Sequence, residues 1–192
     1  MVLLGLAVRG GATPVDDWFQ QGRRGALGRL LFFTDYRAVL LVLAVALGLA
    51  LYRRRWTLAG VVAVTPVAAV WLSRLCKQLF GWQKEGTVAY PSGHTTVMVT
   101  VLGMLILVVG ARLWVVLAAI VWVLLGMVGQ GVTYHYFTDT VGALLLGSSV
   151  VCIAAAIVHR ARHLSFTDLS PGRWPRTIVC PRVTGTERLH GL

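Results

Sequence analysis

Charge is what this chain has least of. Only 13% of its 192 residues are Asp, Glu, Lys or Arg, against about a quarter in soluble domains. Acids number seven, and lysine occurs twice, at Lys77 and Lys84. The apolar residues, 57% of the total, come in long blocks and not in alternation. That pattern excludes an ordinary water-soluble domain and describes an integral membrane protein. Cysteine is scarce too. Cys76, Cys152 and Cys180 fit no metal-binding spacing, and Cys76 and Cys152 read as small packing residues in or beside apolar runs. RNA-binding motifs and zinc-finger spacings are missing. The net charge of +11 therefore points to anionic lipid headgroups and membrane orientation, with no nucleic-acid partner. A cleavable signal peptide is not expected, because the opening "MVLLGLAV" has no basic residue before it and is followed by Arg9. That stub reads either as the end of a spanning helix or as a short interfacial anchor.

What is present is a mean hydropathy of +0.74 and five apolar segments long enough to approach a bilayer crossing. They run over about 30–52, 56–76, 93–110, 113–130 and 139–159, with Pro66 as a kink in the second. The third and fourth are separated by a short link holding Ala111 and Arg112, which makes them a tight helical hairpin. The expected fold is all-α: a polytopic bundle of about five spanning helices behind an N-terminal interfacial segment. Three regions follow. Residues 1–29 hold the apolar stub and an amphipathic stretch with Arg23, Arg24 and Arg29 toward headgroups. Residues 30–159 form the membrane domain. Residues 160–192 form a basic, Pro- and Arg-rich tail expected to be irregular. Arg outnumbers Lys sixteen to two, and Ala, Val and Gly abound, a composition of GC-rich, bacterial coding sequence.

Counting spans puts Arg53, Arg54, Arg55, Arg112 and the tail arginines on one side, ten in all, against eight basic residues on the other. The tight Arg53–Arg55 cluster assigns its own side to the cytoplasm. The segments 74–93 and 130–139 then both face outward. Between them they hold Arg74, Lys77, Lys84, Ser92, His94, His135 and Asp139, and ionisable groups beside a bilayer are functional candidates.

These residue types suit phosphoryl chemistry. His135 and Asp139 are spaced i, i+4, one helical face. A carboxylate on one ring nitrogen fixes the tautomer and leaves the other nitrogen to attack. Ser92 and Gly93 stand where a helix begins, and helix N-termini attract anions. His94, in the first turn, is placed to give a proton to a leaving oxygen. Lys77 and Lys84 can neutralise phosphate charge.

The same residues resemble the type 2 phosphatidic acid phosphatase family, the lipid phosphate phosphatases, whose motifs are KxxxxxxRP, PSGH and SRxxxxxHxxxD. The chain has "KQLFGWQKE" at 77–85, "PSGH" at 91–94 and "VGQGVTYHYFTD" at 128–139. The resemblance covers about residues 12–158. It implies His135 as the nucleophile that forms a phosphohistidine, Asp139 as its orienting partner and His94 as general acid. Ser92, Gly93, Lys77 and Lys84 would hold the phosphate, without metal or other cofactor. Two positions depart from the pattern. The Arg-Pro of the first motif is Lys84-Glu85, and the Ser-Arg of the third is Val128-Gly129. Lysine lacks the bidentate fork of arginine, and Gly129 removes a phosphate clamp that Arg74, Arg37 or Gln130 would have to replace. The expected partners are a lipid phosphate and membrane lipids, and the sequence leaves oligomeric state open, a homo-oligomer included. The expected location is the inner membrane, with the site on the extracytoplasmic face.

Overall fold

The computed structural model describes residues 14, 16, 18, 26–80, 83, 84, 87, 88, 90–134 and 136–168, with side-chain surroundings described for all but 26–28, 80, 83, 84, 87, 88 and 162–168. Within them the chain is helical, apart from one two-residue antiparallel pair. A 3-10 helix, Ala26–Thr34, leads into α1, Tyr36–Tyr52, and α2, Trp56–Phe80. The pair β1, Gln83–Lys84, and β2, Thr87–Val88, follows. Then come α3, Gly93–Val109, α4, Leu113–Thr133, and α5, Phe137–Asp168.

Local chemistry explains most of these boundaries. Asp35 is the N-cap of α1, its carboxylate accepting the Arg37 amide at 2.8 Å. α1 closes on a Schellman turn: the Arg55 amide donates to the Ala50 carbonyl and the Arg54 amide to the Leu51 carbonyl. Arg54 takes the left-handed position of that turn, with φ 53°, where glycine is usual. Gly110, φ 101°, ends α3 and opens the link to α4. Pro66 sits inside α2, where its ring removes one ladder bond.

Three helices are long and apolar enough to cross a membrane: Trp56–Leu79, Leu113–Thr133 and Phe137–Ala161. Tyr36–Tyr52 and Gly93–Val109 are apolar but shorter, 17 residues each. α3 is the hub. It packs against α1, α2, α4 and α5, and it buries residues on every side, including Met98, Val101, Leu102, Met104 and Val108. A helix apolar all round belongs in such a centre. The outer helices turn large apolar residues outward instead, among them Val64 and Leu75 on α2, Leu117, Ile120 and Leu124 on α4, and Ile153 on α5. So continuous an apolar belt is costly in water and natural against lipid.

The two ends of the bundle are tied differently. At one end Arg53 donates to the Val108 carbonyl at 2.9 Å, linking the α1–α2 turn to the end of α3. At the other, the Ser92 amide donates to the Asp139 carbonyl at 3.3 Å. The segments that span counting assigns to one side are thus in contact.

Some boundaries differ from the sequence reading. α2 continues to Phe80, so Arg74 and Lys77 stand on a helix, not in a loop. α4 continues to Thr133. α5 runs to Asp168, eight residues beyond the expected start of the tail at 160, because "ARHLSF" contains no helix breaker. The segment before Tyr36 is a separate 3-10 helix and not the start of the first span. It lies along α4, where Phe33 stacks edge-on against Trp122 with ring centroids 5.3 Å apart. The Trp122 indole N–H donates to the Phe33 carbonyl at 2.8 Å. A Cβ built on Gly129 would lie 2.6 Å from the Leu30 carbonyl carbon, so only glycine lets these two backbones approach.

Candidate active site

The site begins with the first turn of α3. Ser92 is its N-cap, but the serine side chain makes no capping bond. Its Oγ accepts from the Thr95 hydroxyl at 3.2 Å instead. The N-terminal end of a helix carries partial positive charge, and here the serine oxygen does not cover it. Pro91 and Ser92 are buried, whereas His94 is exposed toward the cavities described next.

Two adjoining cavities meet at His94. One, of about 510 Å³, is bounded by Arg74, Lys77 and Ser73 of α2, Gly93 and His94 of α3, and Thr34 and Tyr36. Its remaining wall is apolar: Val39, Leu40, Val70 and Val97. The other, of about 530 Å³, is bounded by Leu31, Thr34, Asp35, Tyr36, His94, Gln130 and Tyr134. The first is the cationic one. Val70, Ser73, Arg74 and Lys77 fall at i, i+3, i+4 and i+7 on one face of α2. Arg74 also lies over the Trp71 ring at 5.9 Å, which holds the guanidinium near the apolar surface.

Asp139 is fully buried at the third position of α5. Its Oδ2 accepts the Tyr136 amide at 3.1 Å, and its own amide donates to the Tyr136 carbonyl at 3.0 Å. The carboxylate thus supplies the side-chain half of a capping box, reaching back to the amide that precedes the helix. Asp139 also interacts electrostatically with Lys77 and with Tyr90. Tyr90 is fully buried against Gly142 of α5. Burial first, then the charge of Asp139 and the nearby Cys76, push its hydroxyl up to about 12.

Of the residues expected from the sequence, Arg74, Lys77, Gly93 and His94 come together on one cavity. Ser92 and Asp139 are in the same region but are not part of its described lining. His135 lies outside the described residues. Lys84 falls in β1, and its side chain lies outside the described surroundings. Among the described residues, Arg74 shares a cavity with His94. Gln130 bounds the neighbouring cavity and donates to the Thr34 hydroxyl at 2.8 Å.

Sequence reading missed Ser73, Thr34, Tyr36 and Asp16. Ser73 had a signal, since it extends the polar face of α2 between Val70 and Lys77. Thr34 and Tyr36 had none, because nothing local says that the start of α1 folds over the start of α3. Asp16 is 1% exposed and accepts from the Thr138 amide at 3.0 Å and from its hydroxyl, a pairing across most of the chain.

Compared with protein-family models, with curated proteins and with solved structures, the chain matches none of them.

Proposed function

We propose that this chain is an integral membrane phosphatase that removes phosphate from a lipid, resembling the type 2 phosphatidic acid phosphatases. One observation carries the reading. Arg74, Lys77, Gly93 and His94 bound a single cavity whose other wall is the apolar set Val39, Leu40, Val70 and Val97. A cationic end beside a helix N-terminus suits a phosphate, and an apolar wall suits the adjoining lipid. In this reading His135 attacks phosphorus, the P–O bond to the lipid-bearing oxygen (ester or anhydride) breaks, and that oxygen leaves with a proton from His94. Water then gives a proton to His94 as its oxygen attacks the phosphohistidine, breaking the P–N bond, returning both histidines and releasing phosphate. Asp139 holds the His135 imidazole in its attacking tautomer. Lys77, Lys84, Arg74, Ser92 and Gly93 hold the phosphate. A polyprenyl phosphate or diphosphate is the favoured substrate, with a glycerolipid phosphate as the alternative.

All five apolar helices span in this reading. The two shorter ones, at 17 residues, reach about 25 Å, at the low end of what a bilayer core needs. The Arg53–Arg55 turn faces the cytoplasm of a bacterial inner membrane, and the cavity faces outward.

The test is phosphate release by the purified protein in detergent, without added metal. The substrates are polyprenyl diphosphate, polyprenyl monophosphate, phosphatidic acid and phosphatidylglycerol phosphate. Turnover by the wild type and none by His135→Ala is the expected result. An inactive wild type across that panel sinks the enzyme reading.

A second reading is favoured by Gly129. The position where the third motif would carry arginine is packed against the Leu30 backbone and has no side chain to offer a phosphate. A protein that binds lipid phosphate without hydrolysing it would bind the same panel and release nothing.

A further inference from the structure

We infer that Asp16 is a positioning residue for this site, holding the start of α5 and with it Asp139. The inference rests on the phosphatase reading for its kinetic consequence, but its structural half stands without it.

The first amides of a helix have no partner inside the helix. In α5 two carboxylates supply partners. Asp139 takes the Tyr136 amide from within the turn. Asp16 takes the Thr138 amide from outside it, at 3.0 Å. The Thr138 hydroxyl adds contacts to both Asp16 oxygens at 3.2 Å. A third tie comes from α3, through the Ser92 amide on the Asp139 carbonyl. The backbone on either side of Asp139 is therefore fixed from three parts of the chain: its own turn, the helix that carries His94, and the N-terminal segment.

Asp16 is 1% exposed. A buried carboxylate is retained only where its hydrogen bonds and local charge compensate its desolvation, and the N-terminal end of α5 supplies both. An interfacial anchor would not need this arrangement, because its acids would face water. The Asp16 bonds go to Thr138, which is not part of the cationic cavity's described lining, so through this contact Asp16 acts on α5.

The experiment compares Asp16→Ala and Asp16→Asn with the wild-type full chain in detergent. Asparagine keeps an oxygen that can accept the Thr138 amide, whereas alanine does not. Hydrogen exchange is followed by mass spectrometry over residues 136–142, and kcat and KM are measured on whichever lipid phosphate the wild type hydrolyses. Expected for Asp16→Ala is faster exchange confined to 136–142, and kcat lower by roughly tenfold to a hundredfold with KM within about twofold, since small misplacements of a reacting group cost that much. Asp16→Asn restores most of both. Unchanged exchange at 136–142 in Asp16→Ala overturns the inference. Faster exchange with unchanged kcat also overturns it, leaving Asp16 as a cap without consequence for the site. An inactive wild type refutes the phosphatase reading separately, and the exchange result then decides the structural half alone.

Discussion

The Ser92 amide donates to the Asp139 carbonyl at 3.3 Å, so the first turn of α3 and the first turn of α5 are joined by a backbone bond. The joint brings His94 to the same membrane end as Asp139. It also makes the site depend on how α3 packs on α5, through Gly147 against Val99, and on Tyr90, ahead of α3, against Gly142.

His94 bounds both cavities, and its proposed task is to protonate the leaving oxygen. His94→Gln keeps a hydrogen-bonding side chain without a proton to give at neutral pH. Phosphate release is expected to fall by about 10²–10⁴-fold, the usual contribution of a general acid, with substrate binding retained. Single-turnover kinetics alongside equilibrium lipid binding separates the two.

Of Arg74, Arg37 and Gln130, the three candidates for a phosphate clamp under the proposed function, Arg74 bounds the cationic cavity with His94. Arg74→Ala should lower kcat/KM by about 10²-fold. Arg74→Lys should fall between, because lysine keeps the charge and loses the fork. Kinetics indistinguishable from wild type in Arg74→Ala would reduce the residue to a headgroup anchor stacked on Trp71.

Placing an arginine at position 129 is expected to harm the protein. The Cβ alone would stand 2.6 Å from the Leu30 carbonyl carbon, and overpacking of this kind costs about 1–3 kcal/mol. Gly129→Ala should lower the thermal midpoint in detergent, and Gly129→Arg should lower it further without raising activity. Gly48→Ala is the control. Nothing lies within 4 Å of a Cβ there, and alanine in a helix interior is favoured over glycine by about 0.5–1 kcal/mol.

Tyr90 predicts an alkaline limit. Its hydroxyl is raised to about 12 in the folded chain, against about 10 when unfolded. Between those values the unfolded chain has lost the proton that the folded chain keeps. Stability from this group is therefore complete below pH ~10 and declines as pH rises toward ~12. Thermal midpoints measured from pH 9 to 12 should fall less steeply in Tyr90→Phe than in the wild type. Parallel slopes would refute the assignment.

The sequence made much of this legible because the informative signals are local. Apolar blocks gave the number and order of the five long helices, and the PSGH tetrad located the start of α3, since Ser92 is its N-cap. Span counting put the two polar segments at one end, as the Ser92–Asp139 bond shows. At Gly126, Gly129, Gly142 and Gly147 a Cβ would strike a neighbour, so the bundle's close approaches rest on residues without side chains. Less legible were the ends of α2 and α5. The polar face at Ser73, Arg74 and Lys77 looks like a loop until its helical period is counted.

By itself, then, the sequence determined the secondary structure: a set of apolar helices, three of them long and apolar enough to cross a membrane, with ionisable groups at their ends. Those follow from hydropathy and from capping chemistry, which act over a turn or two of chain. Only the tertiary structure decided that α3 is the hub, that Arg74, Lys77 and His94 share a cavity, that the 3-10 segment lies against Gly129, and that Asp16 caps α5. Each of these joins residues far apart in the chain. Their meeting depends on how whole helices pack, and no local period or motif records which helix faces which.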